Sequence, residues 1–346
     1  VKHKHELNYK HFGGKYSGYS SWYCKLCKKK FSYINVSNCE VSLHSHQFCN
    51  LVEINASNIQ SQEDLNQRAK VASFIATLQA SYTNFHYLRE EWKKTTEKEA
   101  LIGVGMTGIC SGIVQKYDLK EAAKVVIDEN ERIASLIKIN EAARTLVIKP
   151  SGTSSLVLGT SSGIHPWHSP FYIRRIRVGK NEAIYNYLNR NHPELVEDDF
   201  FRPQIQAVIS IPQKAPEGSI YRNESAIDFM ERIKFFYENW ILVGHRSGSN
   251  TNNISATVSI KKDEWDKVAD WLWENKECFN GLSFLPYDED DHTYVQSPFE
   301  EIDEKTYKRL YSSLRNVDLS RIREEEDDTD LKGEIACSGK ESCEVK

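Results

Sequence analysis

The sequence contains no run of about 18 or more apolar residues, the minimum for a membrane-crossing helix, and its first residues hold no apolar signal core. The expectation from this is a cytoplasmic protein with no membrane partner. It also lacks any excess of positive charge. Lys and Arg number 45 against 49 Asp and Glu, a net charge of −4, so no global field points to nucleic acid or an anionic bilayer. Only the first 30 residues are locally basic, and Arg323–Asp330 is locally acidic. There is no internal repeat and no secreted disulfide framework, since the eight cysteines are scattered over 346 residues. What is present is ordinary for a soluble globular protein, 40% hydrophobic and 27% charged. The length allows two domains or one large α/β domain.

Residues 1–38 are rich in His, Lys, Tyr, Ser and Gly and show no amphipathic helix. After Cys39 the pattern becomes that of a packed α/β protein. Phe48–Ile54 reads as a strand, followed by a helix capped by Ser61 with Glu63 and Asp64 in its first turn. Ala100–Gly112 is apolar and Gly-rich, and helical segments follow over about 119–142. Ala143–Ile148, Ala207–Ile211 and Ile254–Ile260 are further strand candidates, the last preceding a helix at Lys262–Cys278. Trp265, Trp271 and Trp273 along that helix read as core packing. Strands alternating with helices predict a mostly parallel sheet, barrel-like or doubly wound. From about Arg321 the chain turns polar and acidic and ends in a small-residue tail, expected to be mobile.

Four constellations carry chemistry. Glu40 lies among Cys39 and Cys49 within eleven residues, which suits a thiol redox site with a carboxylate for proton transfer; buried structural cysteines beside a strand are the plainer alternative. Pro150-Ser151-Gly152-Thr153-Ser154 can cradle a phosphate, with Gly152 admitting close backbone approach and the hydroxyls of Ser151, Thr153 and Ser154 as donors, or be a simple turn and cap. Gly159–Pro166 leads into a basic strand in which Arg174 and Arg175 meet phosphate or form a solvated strand edge. Cys337 and Cys343 sit on the tail, where a dithiol can exchange with a disulfide.

Taken in order, Glu40-Val41-Ser42-Leu43 through Cys49-Asn50-Leu51, Gly103–Gly108 and Pro150–Thr153 resemble three ribonucleotide reductase signatures. Gly281–Pro286, Asp291–Tyr294 and the terminal cysteine pair are most similar to the adenosylcobalamin-dependent triphosphate reductases. The resemblance covers about residues 39–346. No Tyr-Tyr pair of the aerobic iron class and no terminal glycyl-radical motif occurs, and Asp290–Val295 lacks the Gly of the base-off cobalamin motif.

The resemblance implies the C-terminal half of a ten-stranded α/β barrel of the ribonucleotide reductase type, with a flexible cysteine-bearing tail. The domains are then 1–38, 39–320 and 321–346. It further implies Glu40 as the proton-shuttling carboxylate, Cys49 as one of the thiols oxidised to a disulfide, and Ser151 to Ser154 as holders of the substrate phosphates. Cys337 and Cys343 would re-reduce that disulfide and be renewed by a thioredoxin-type reductant. Adenosylcobalamin is the implied cofactor and a ribonucleoside triphosphate the implied substrate.

One position departs from the pattern. The radical cysteine of the family falls at Asn38, and the family's Asn at Val36. The expectation is a fragment inactive alone, completed by an upstream reductase fragment that supplies the radical cysteine. Asn38-Cys39 also resembles the carboxyl junction of an intein, so residues 1–38 read as an intein remnant, with in-frame intron read-through or a frame error as the competing account. Cys24 and Cys27 form the front half of a zinc-finger spacing without its back half, leaving a zinc- and DNA-binding remnant as a further alternative.

Overall fold

The structure is a computed structural model that describes residues 40–248, 250–287 and 295–323, and the backbone of three strands before them. Those strands, β1 (Leu7–His11), β2 (Tyr19–Cys24) and β3 (Lys30–Ile34), form an antiparallel meander. Cys24 closes the β1–β2 ladder opposite Leu7, and Cys27 lies outside the described residues.

Strand β4 (Asn50–Asn55) leads through helices α1 (Gln62–Ala80) and α2 (Glu90–Glu99) to β5 (Ile102–Thr107), which pairs parallel with β4 along its whole length. The α1 cap is as expected: the Ser61 side chain accepts from the Asp64 N–H at 3.1 Å. Helix α3 (Leu119–Ile137) starts at Asp118, whose carboxylate accepts from the N–H groups of Lys120 and Glu121. It packs on α1, where the Ser73 hydroxyl donates to the Val126 carbonyl at 2.7 Å and the Asn130 amide donates to Thr77 Oγ1 at 2.9 Å. Gly103 is required by the sheet, because a Cβ there would lie 2.5 Å from Leu51 Cδ2 and 2.9 Å from Val147 Cγ1.

The remaining elements are α4 (Thr153–Leu158), β6 (Phe171–Gly179), α5 (Ala183–Asn191), β7 (Val196–Asp198), β8 (Gln206–Lys214) and α6 (Ala226–Phe236). After them come β9 (Thr257–Ile260), α7 (Trp265–Glu274), β10 (Ser283–Pro286), β11 (Phe299–Glu301) and α8 (Glu304–Leu314). Residues 143–148 form no continuous ladder, but parallel bridges join Leu146 to Val104 and Ile148 to Ile254. Since β9 pairs parallel with β10, five parallel segments lie side by side: β4, β5, 143–148, 254–260 and β10. Their core partners are the inner faces of α1, α3 and α6, with Trp240, Phe236, Met106 and Leu146 fully buried.

Two expectations need correction. The predicted strand at 207–211 is not part of the parallel set; β8 lies in an antiparallel sheet of order β11-β6-β8-β7. Its run Ala207–Ser210 is buried throughout because α8 covers the sheet, and a strand buried on both faces imitates a parallel one in sequence. The tryptophan set is not uniformly core either. Trp271 is 7% exposed and packs inward with Val268, whereas Trp265 and Trp273 are 44% and 46% exposed. Helical periodicity brings Trp271 alone of the three to the buried face of α7.

A candidate redox and phosphate-binding site

The segment carrying Glu40 is bound where the chain enters the 254–260 segment of the parallel set. The Glu40 carbonyl accepts from the Asn253 N–H at 2.8 Å, next to the residues that bridge to Ile148. Two residues on, the Ser42 N–H donates to Asn252 Oδ1 (3.3 Å), its hydroxyl donates to the Thr251 carbonyl (2.6 Å), and its carbonyl accepts from Arg144 (3.0 Å). Val41 is buried in a small apolar cluster with Leu101, Ala143 and Val147, and Cys49 packs against the same cluster. Glu40 and Cys49, paired in sequence by motif alone, therefore flank one patch of the fold. Cys49 is partly buried and outside any disulfide.

Glu99, the last residue of α2, gathers the segment between them. It accepts from Arg144 at 2.6 Å and Gln47 at 2.9 Å and meets His44 Nε2 at 3.2 Å. Burial works against its charge, but the Gln47 hydrogen bond and the charges of Arg144 and His44 outweigh it and hold the carboxyl below the ordinary glutamate value. A folded-state pKa below the unfolded one contributes stability that is complete above the unfolded value and is lost as pH falls through the folded value. Wild type is therefore expected to lose stability between about pH 5 and 3 more steeply than Glu99→Gln. Urea midpoints across that range check it, and equal slopes would contradict the pairing.

The 149–163 loop is built differently from the expectation. Ser151 is buried, and the hydroxyls of Ser151 and Ser154 both donate to Glu53 Oε2, at 2.6 and 2.5 Å. Lys149 Nζ stands 3.4 Å from the other oxygen of Glu53. The Ser151 N–H donates to Ser162 Oγ, and Gly163, at φ +54, passes so close to the Lys149 carbonyl that a Cβ would overlap it. These two hydroxyls are thus committed to a buried carboxylate, which leaves the backbone N–H groups of the exposed Gly152 and Thr153 as donors for an anion. Ser151→Ala is expected to cost about 1.5–3 kcal/mol, the worth of a hydrogen bond to a charged group, read from urea unfolding. A loss below about 0.5 kcal/mol would mean that Glu53 is solvated.

Beyond this loop a cleft of about 300 Å³ opens between segment 159–168, the start of α6, β9 and the antiparallel sheet. At its wall His165 Nε2 accepts from the Thr257 N–H (3.0 Å), which places the ring proton on Nδ1 toward the Ser162 carbonyl (3.2 Å). The two arginines of β6 separate. Arg174 lines the cleft and lies over the Phe299 ring at 4.9 Å, while Arg175 is held by Glu197 (3.1 Å) and Glu300 (2.6 Å). β6 has neighbours on both sides, so the solvated strand edge is corrected.

Asn38, Cys39, Cys27, Cys337, Cys343 and Asp290–Tyr294 lie outside the described residues. Cys110 is buried and donates to the Ile164 carbonyl at 3.0 Å; burial pushes its thiol up to about 12, which suits packing rather than thiolate chemistry. Sequence reasoning passed over Glu53, Glu99, Arg144 and Asn252. Glu53 stood inside the expected strand Phe48–Ile54, but nothing in the sequence paired it with serines about 100 residues on.

No family model matches the chain. A probable adenosylcobalamin-dependent ribonucleoside-triphosphate reductase of Dictyostelium discoideum is 28% identical over 300 residues, 82% of this chain and 37% of that protein. The adenosylcobalamin-dependent ribonucleoside-triphosphate reductase of Lactobacillus acidophilus is 23% identical over 89% of this chain and 44% of its own length. That of Euglena gracilis is 25% identical over 81% and 38%. The chain is a homologue of these reductases. It spans less than half the length of the relatives it matches. A crystal structure of a B12-dependent (class II) ribonucleotide reductase shares the fold with a TM-score of 0.65, at 20% identity over 79% of this chain and 41% of that one. The mixed α/β architecture is therefore that of a class II reductase over the matched part.

Proposed function

We propose that this homologue of the reductases contributes the carboxyl-terminal half of a ten-stranded barrel that reduces ribonucleoside triphosphates to deoxyribonucleoside triphosphates. The observation that carries the reading is the run of five parallel segments with Glu40, Cys49 and the Ser151 loop on it, in the order in which the reductase signatures occur. Glu40 would move a proton at the ribose, and the backbone around Gly152 and Thr153 would hold phosphate, with Ser151 and Ser154 fixing the loop through Glu53. Cys49 and a second thiol would supply two electrons and two protons, giving a disulfide as the 2′-hydroxyl leaves as water. Cys337 and Cys343 would return the pair to the dithiol by exchange, and a thioredoxin-type reductant would renew them.

The relatives are named for adenosylcobalamin, which in such an enzyme supplies the radical that starts the reaction. The cleft of about 300 Å³ formed by the described residues admits a nucleotide-sized group and not a corrin macrocycle, so this cleft alone would not enclose the cofactor. Asn38 stands where a radical cysteine belongs, so that thiol would come from sequence joined ahead of Cys39. The test is to purify the polypeptide from its native cells, map its peptides across Cys39, and assay triphosphate reduction with adenosylcobalamin and a dithiol. A Cys immediately ahead of Cys39 together with cobalamin-dependent reduction would support the reading. Reduction without cobalamin, or none in a polypeptide that has that Cys, would overturn it.

A further inference from the structure

We infer that Arg144 and Glu99 form a positioning clamp that fixes the Glu40 carboxylate and the Cys49 thiol relative to each other. The functional meaning rests on the roles proposed above for those two residues. Residues 42–49 between them form no helix or strand, so the backbone ladder does not hold this stretch. Besides the bonds of Ser42 to Asn252 and Thr251 and of Phe48 to Thr96, its anchors at Ser42 and Gln47 meet on one ion pair, 2.6 Å long, whose side chains are 3% and 14% exposed. Arg144 reaches the Ser42 carbonyl, two residues from Glu40, and also the Ser247 carbonyl at 3.2 Å. Glu99 takes the Gln47 amide, two residues from Cys49. Each partner of the pair therefore holds one end of the connecting segment.

The anchor itself is rigid. Arg144 is the second residue of the 143–148 segment, which Leu146 and Ile148 bridge to its parallel neighbours, and Glu99 closes α2. A guanidinium can serve three acceptors in a fixed fork, which a lysine ammonium does not reproduce. Buried ion pairs are weak sources of net stability and are better explained where they specify a geometry. Here the geometry specified is the separation of a carboxylate from a reducible thiol.

The test uses the full chain and the alkylation rate of Cys49 by iodoacetamide, resolved by peptide mass spectrometry, with the partly buried Cys278 as internal reference. Gln47→Met removes the Glu99 arm together with the Gln47 bonds to the His44 N–H and the Thr95 carbonyl, and leaves Arg144 paired with Glu99. It is expected to raise the Cys49 rate about tenfold, as for a local opening made easier by about 1.4 kcal/mol, with Cys278 unchanged. Gln47→Lys, which offers Glu99 a donor again, should return the rate toward wild type. Arg144→Lys should raise it at least as much as Gln47→Met. An unchanged Cys49 rate, or Cys49 and Cys278 rising together, would overturn the clamp. The readout needs neither cofactor nor turnover, so an inactive chain leaves it standing, and its failure leaves the reductase reading intact.

Discussion

Replacing Trp240 with alanine is expected to cost about 3–5 kcal/mol of unfolding free energy. Its side chain is 0% exposed and belongs to the π-helical turn Tyr237–Ile241 that continues α6. From there it fills the space against the parallel segments and donates its indole N–H to the Val104 carbonyl at 3.3 Å, in the middle of β5. Alanine removes the ring, leaves a cavity that rigid neighbours do not close, and deletes that bond. Trp240→Phe keeps most of the volume and loses the donor, so the loss should be smaller, although its ring also leaves part of the space empty. Trp265→Ala, at a side chain 44% exposed, should cost about 0.5 kcal/mol or less. Urea unfolding of the three variants checks the ranking, and a Trp240→Ala loss near that of Trp265→Ala would mean that the core is not packed as described.

What the sequence made legible follows how local each signal is. The α1 start was readable because Ser61, Glu63 and Asp64 act on the first turn beside them. Of the parallel pair only β4 was legible as a strand; Ala100–Gly112 read merely as apolar and Gly-rich, and its Gly103 proves to lie where Leu51 and Val147 approach. The antiparallel sheet was hidden because α8, about 100 residues after β8, hides one of its faces from solvent. The site shows the same limit. Glu40, Cys49 and the Ser151 loop were found by motif, but Glu53 and the Glu99–Arg144 pair are joined only by the fold. No local pattern says that Ser151 turns its hydroxyl to Glu53 rather than toward a ligand.

If Glu40 has the proton-transfer role proposed above, Glu40→Gln is expected to lower turnover about 10²–10⁴-fold, the usual worth of a positioned proton-transfer group. Glutamine keeps the size and hydrogen-bonding shape of the side chain but can neither take nor give a proton at neutral pH. The backbone is not disturbed by this change, because the Asn253 N–H binds the Glu40 carbonyl and not its carboxylate. Val41, the next residue, remains anchored in the cluster with Leu101 and Val147. The fall should therefore appear in kcat, with KM for the triphosphate little changed, since phosphate binding is assigned to the separate loop at Gly152 and Thr153. Cys49→Ser is the companion: it removes the thiol proposed as one of the reducing pair, so on that proposal turnover should stop altogether while Glu40 is still in place. The measurement is triphosphate reduction with adenosylcobalamin and a dithiol, on polypeptide carrying whatever sequence precedes Cys39 in its native cells. Glu40→Gln activity within about tenfold of wild type would remove Glu40 from the chemistry, because a loss that small is below what an essential proton carrier contributes. A rise in KM with kcat preserved would instead make it a binding residue.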